Sequence, residues 1–304
     1  MIVMKLKIIL IKTGCLFKQT FLEFIEDDCI KLSAALSYYT IFSLPPLLII
    51  IISLSGILLG ADVVQNEMFG QIKILVGSDV ALQIQETIKN VEQSNRHKFA
   101  TSIGVIVLLI GASGVFAEIQ DSINFIWGLK AKPRRGVIKY IYNRLTSFSM
   151  IGSVGFLLLV GLIINALISL LSSRLSAIFP QDTIYLFTVM NTLVLFVIIT
   201  FLFILIFKTL PDGKIAFYDC FIGASFTAIL FMIGKFSIGF YLGQNNITSL
   251  YGAAGSVLLI LAWVYYSAII LYFGAEFTKV YAHTHGQKII PNEYSIQVLK
   301  QPDR

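Results

Sequence analysis

Glu118, Asp121 and Asn124 recur three residues apart at the end of one apolar run, and Glu276 stands near the end of another. Ionisable side chains within lipid-length segments are costly, and by default they mark solute or ion sites. On a helix, residues at that spacing share one side. Glu118, Asp121 and Glu276 could therefore bind or gate a cationic or zwitterionic solute. A further signal lies in "LSYYTIFSLPPLLIIIISLSG", where Tyr38 precedes Pro45 and Pro46. In a continuous helix those prolines leave the carbonyls of Ile41 and Phe42 without donors. Lipid cannot satisfy such groups, so the break at Pro45-Pro46 should face protein or water. The opposing reading keeps the same acids as an ion-pair network with Asp27, Asp28, Lys31, Asp219 and Lys279 that only holds helix register. The residues alone leave both readings open.

Other chemistry finds less support. His283-Thr284-His285 begins a His-x-His-x-Asp-His pattern, but Gln287 and Lys288 occupy the Asp and His positions. A metal site normally needs three or four ligands, so no metal is expected. No phosphate-binding glycine loop, Gly-x-Ser-x-Gly elbow or His-Glu-x-x-His pair occurs. The expectation is a protein that is not an enzyme, with no catalytic residues and no cofactor. Cys15, Cys29 and Cys220 form no Cys-x-x-Cys pair and are expected as free thiols.

The elements that must position these residues follow from composition. Hydrophobic residues make up 57% of the 304-residue chain and charged residues 13%, with a mean hydropathy of +0.83. Soluble domains carry about 25% charged residues, so the chain is expected to be an all-α integral membrane protein. Six segments have the roughly 20 apolar residues a spanning helix needs: 33–60, 99–128, 147–172, 184–208, 215–242 and 250–280. Residues 1–304 then form a single membrane domain, its first span kinked at Pro45-Pro46. An amphipathic segment at 1–31 precedes the spans, 61–98 forms an external helical segment, and 281–304 is a tail.

Lysine and arginine set the orientation. Of 23, 17 fall on the side holding both termini and the 129–146 and 208–214 loops, against five on the other. N- and C-termini are therefore expected in the cytoplasm. Topology accounts for the basic 129–146 loop, and nucleic acid is not expected as a partner. Gly252 and Gly255 allow close helix approach, and Asn165 can bond a neighbouring helix.

Three stretches resemble one family. They are "DDCIKLSAALSYYTIFSLPPLLIIIISLSG", "EIQDSINFIWG" with basic residues after it, and "SLYGAAGSVLLILAWVYYSAIILYFGAEFTKVYA". Together they resemble the YihY/BrkB family of bacterial inner-membrane proteins, formerly misnamed ribonuclease BN, over nearly the whole chain. The positions that match are Tyr38, Pro45, Asp121, Asn124, Gly252, Gly255 and Glu276. The resemblance implies a multi-pass protein of the bacterial inner membrane and brings no catalytic role. The expected function is a transporter or permeability factor of the cell envelope, its pathway between the first, second and sixth spans. The alternative is a non-catalytic, virulence-associated envelope scaffold. Membrane lipids and a small solute or lipid are the expected partners, and a homo-oligomer is compatible with both readings.

Overall fold

The computed structural model describes residues 2–43, 98–132, 146, 149–150, 153–154, 182–244, 253–293 and 295–298. Pro45, Pro46, Asn165, Gly252, the external segment up to residue 97 and most of the 147–172 span lie outside the described residues.

The described residues form six long helices and four short strands. The helices are α1 (Ile2–Glu26), α2 (residues 29–43), α3 (Lys98–Ile126), α4 (Asp182–Thr209), α5 (Phe217–Gln244) and α6 (Ala253–His285). Three of them are long and apolar enough to cross a membrane, within Thr192–Thr209, Phe217–Gly234 and Ile260–His285. Where a boundary differs from the sequence expectation, a local contact explains it. The first span, expected from residue 33, begins as helix at 29, because Asp28 takes a φ of 51° and breaks the chain direction after α1. The sixth, expected to stop at 280, stays helical to His285. Val280 there is buried with Phe277 and with Leu16 of α1, so the extra turn follows a helix that is still packing.

α5 and α6 pack together through two close glycine–threonine contacts. A Cβ on Gly223 would overlap the Thr278 hydroxyl, and one on Gly274 would overlap the Thr227 hydroxyl. Each threonine bonds the carbonyl four residues earlier, Thr227 to Gly223 at 2.7 Å and Thr278 to Gly274 at 2.6 Å. Small residues draw helices together in this way where lipid provides no hydrophobic drive between them. The hydroxyls spend their hydrogen bonds on their own helices, so the contact between helices is one of shape.

The strands gather one end of the bundle. β1 (Leu129–Ala131) follows α3, β2 (Gly213–Lys214) lies between α4 and α5, and β3 (Ile290–Pro291) and β4 (Ser295–Gln297) follow α6. β4 pairs antiparallel with β1, Lys130 opposite Ile296, and β3 pairs antiparallel with β2, Lys214 opposite Ile290. Residues 290–293 and 295–298 thus form a strap across two loops that are remote in sequence. Gly128, at φ +67°, ends α3 and turns the chain into β1, a left-handed position that glycine occupies at little cost. Its carbonyl accepts from Val298 N at 2.7 Å. The C-terminal ends of α3, α4 and α6 therefore meet the N-terminal end of α5.

Candidate functional site

The site begins at Lys279, one turn from the end of the apolar part of α6. Its ammonium lies 2.7 Å from Glu276 Oε2, 2.9 Å from Glu23 Oε2 and 3.3 Å from Asp27 Oδ2. It also donates to the Ile126 carbonyl at 2.9 Å, capping the negative end of α3 with a positive charge. Four oxygens from α1, the α1–α2 turn, α3 and α6 thus converge on one nitrogen. Glu276 is fully buried, Asp27 and Lys279 nearly so, and Glu23 reaches the surface. The ends of α3 and α6 are also joined directly, by Trp127 Nε1 donating to the Ala275 carbonyl at 3.1 Å.

A polar seam leads from this centre between α2, α3 and α6. Cys29 of α2 is buried with its thiol 3.9 Å from Glu276 Oε1. One turn up α6, the buried Tyr272 hydroxyl lies within interaction reach of Ser122 and Glu118 on α3 and of Cys29. The Ser122 and Tyr272 hydroxyls are both enclosed, and neither completes a well-aligned hydrogen bond. Glu276 Oε2 has Lys279 beside it but off the hydrogen-bonding direction. Buried polar groups are normally satisfied, so these three atoms keep hydrogen-bonding capacity beyond the neighbours they have. Glu118 stands half-buried at the upper end of the seam.

Asn124 belongs to a different node. Its amide donates to Asp212 Oδ2 at 2.8 Å and accepts from Asp212 N at 2.8 Å. Gln120 adds a 3.4 Å contact to the other carboxylate oxygen. The Asp212 carbonyl receives Asn292 N at 2.9 Å and Ser295 Oγ at 2.6 Å. Asp212 therefore clamps α3, the α4–α5 turn and the strap together. Replacing Asp212 by Ala is expected to cost about 1–3 kcal/mol, the usual penalty for orphaning a buried partner. It should also speed tryptic cleavage after Lys288, since the strap loses its anchor; limited proteolysis of folded protein reads this directly.

The predicted site residues thus divide. Glu118 and Glu276 lie on the seam, Asn124 holds the clamp, and Asp121 is on the exposed side of α3. Tyr38 lies off the buried side of α2. The buried stripe of α2 is Cys29, Ser33, Leu36, Ser37 and Ser43. Tyr38 sits about 100° around the helix from Ser37, is 61% exposed, and packs against Tyr39 and Phe42. Gly255 lies within α6. Sequence reasoning assigned no site role to Glu23, Ser122, Asp212 or Tyr272. Ser122 and Tyr272 were detectable one turn from Glu118 and Glu276, since side chains four apart are neighbours.

Comparisons with known proteins agree in one direction. A family model described as "Virulence factor BrkB" matches residues 20–296. A UPF0761 membrane protein of Saccharophagus degradans is 26% identical over 277 residues, covering 89% of this chain and 61% of that protein. One from Teredinibacter turnerae is likewise 26% identical, over 90% of this chain and 61% of its own length. Another, from Vibrio vulnificus, is 27% identical over 300 residues, with 96% and 90% covered. The chain therefore spans about three fifths of the first two relatives. No solved structure matches.

Proposed function

The chain belongs to the Virulence factor BrkB family of membrane proteins, and from that premise we propose that it moves a small solute across the bacterial inner membrane. In this reading it is a multi-pass protein with six spans and both termini in the cytoplasm. The strap supports that topology, because it brings the basic 129–132 and 213–214 segments and the residues after α6 to one end of the bundle. All of these belong on the cytoplasmic side by their lysine and arginine content. The pathway runs between α2, α3 and α6, with Glu118 at its upper end and Glu276 at the inner mouth. We assign these residues no catalytic role.

The observation that carries the reading is the buried ion centre continued by the seam. A buried ion pair contributes little net stability against an apolar replacement, and its best-attested use is to set register or to switch. The Ser122 and Tyr272 hydroxyls continue it as enclosed polar groups, where apolar side chains would hold the helices as well. The second reading, a non-catalytic scaffold, draws on the closed arrangement of Lys279 among four oxygens.

Purified protein in liposomes, offered a panel of labelled cationic and zwitterionic solutes, separates the two. Wild type is expected to accelerate uptake of at least one solute. Glu276→Gln should lower that uptake about ten-fold, the effect of losing about 1.4 kcal/mol, and Glu118→Gln should lower it as well. Absence of uptake by wild type rejects transport, and uptake by both variants equal to that of wild type, at matched folded yield, rejects the assigned pathway. Variants that lose only thermal stability select the scaffold.

A further inference from the structure

Lys279 is surrounded by more acceptor oxygens than its three N–H groups can serve. Glu276, Glu23, Asp27 and the Ile126 carbonyl stand 2.7, 2.9, 3.3 and 2.9 Å from its nitrogen. Three carboxylates face this one ammonium, and the most buried of them, Glu276, keeps Oε2 unaligned with it. The enclosed hydroxyls of Tyr272 and Ser122 lie above, with capacity to spare. Lysine carries its charge on a flexible four-carbon stem, and Glu23, partly open to the surface, marks the side towards which that stem can withdraw.

We propose that Glu23, Asp27, Glu276 and the Ile126 carbonyl form a binding site for the primary ammonium group of a small solute. Lys279 occupies it in this structure as a tethered stand-in. The hydroxyls of Tyr272 and Ser122 receive the solute's neutral polar part. The chemistry of the cage selects the class: oxygens this close to nitrogen require N–H donors, which a quaternary ammonium lacks. A guanidinium is a planar fork that suits coplanar pairs of oxygens, whereas these four come from separate elements around a point. The inference rests on the transport reading for the solute's identity as cargo, while the cage itself can be tested without any flux.

The first test empties the cage. Full-length Lys279→Ala in detergent should melt below wild type, and methylammonium, ethylammonium or propylammonium should restore its melting temperature saturably. Tetramethylammonium or sodium chloride at equal ionic strength should not. Restoration by those two salts to the same extent would show charge screening and overturn the site. Should Lys279→Ala fail to fold, the unaltered cage supplies the second test. In a Cys15→Ser/Cys220→Ser background, propylammonium should displace Lys279 and open the α2–α6 contact. Labelling of Cys29, which lies against Glu276, by a small thiol reagent should then rise several-fold over tetramethylammonium. Labelling indifferent to propylammonium overturns the proposal. If the cage responds but no solute crosses liposomes, transport fails and the site stands. If a solute crosses while neither melting nor labelling responds to alkylammonium, the site fails and transport stands.

Discussion

Lys279→Met is expected to destabilise this protein by about 3–5 kcal/mol, the penalty for breaking a buried ion pair by removing one partner. The substitution leaves Glu276 and Asp27, both buried, facing each other's charge with no cation between them. It also uncovers the Ile126 carbonyl at the end of α3. Methionine fills much of the lysine stem's volume, so the loss isolates charge from packing. Adding Glu276→Leu and Asp27→Asn to Lys279→Met should recover most of the stability, because it removes the unpaired charges instead of orphaning them. Glu23 can remain, since it reaches solvent. Thermal unfolding of the single and triple variants in one detergent decides the matter. A single variant as stable as wild type would show that the centre is solvated and electrostatically idle.

The second large effect belongs to the α5–α6 contact. Gly223→Ala should cost about 1–3 kcal/mol, the usual range for overpacking a tight interior, and Gly274→Ala a similar amount. The added methyl meets the Thr278 hydroxyl first and then Thr278 Cβ, 2.8 Å away. Thr278 cannot rotate away cheaply, because its hydroxyl is bonded to the Gly274 carbonyl. Thr278→Ala in the Gly223→Ala background removes the nearest obstacle and leaves a contact that a slight helix shift relieves. Partial recovery in the double variant is therefore expected. Loss that simply adds across the two substitutions would mean that the residues do not press on each other. Helices built alike on both sides of a contact lose register together, so each glycine should matter by itself.

How far the residues foretold this arrangement depends on the range of the signal. The apolar runs of α3 to α6 are local, and their ends fall within a few residues of expectation except at the last turns of α6. The depth of Glu276 was readable from its place near the end of a run, and Asp27 and Lys279 stood among the expected network residues, but Glu23, at the other end of the chain, did not. The spacing of Glu118, Asp121 and Asn124 suggested one shared face. Three residues fall about 60° short of a full turn, and six fall about 120° short, enough to send Asn124 to Asp212 while Asp121 stays exposed. Gly274 is a small residue in an apolar run, yet its use needs Thr227, and only the pairing of α5 with α6 identifies that partner. The "LPDG" turn at Leu210–Gly213 reads as a loop. Strands of two or three residues carry no usable alternation, so neither small sheet had a signature before its partner was known.

The strap has a consequence for biosynthesis. Residues 290–298 are made after all six of these helices, yet they supply the pairing partners for loops that emerged long before. Until that segment leaves the ribosome, the Asp212 carbonyl lacks both its donors from the strap, and the turns after α3 and α4 have no strand beside them. Pairings this distant in sequence form late because the intervening chain must first be closed into a loop. Sealing of this end is therefore a finishing step. A nascent chain still short of residue 290 presents an open end to whatever insertion factors or proteases it meets, and the completed molecule presents a shut one.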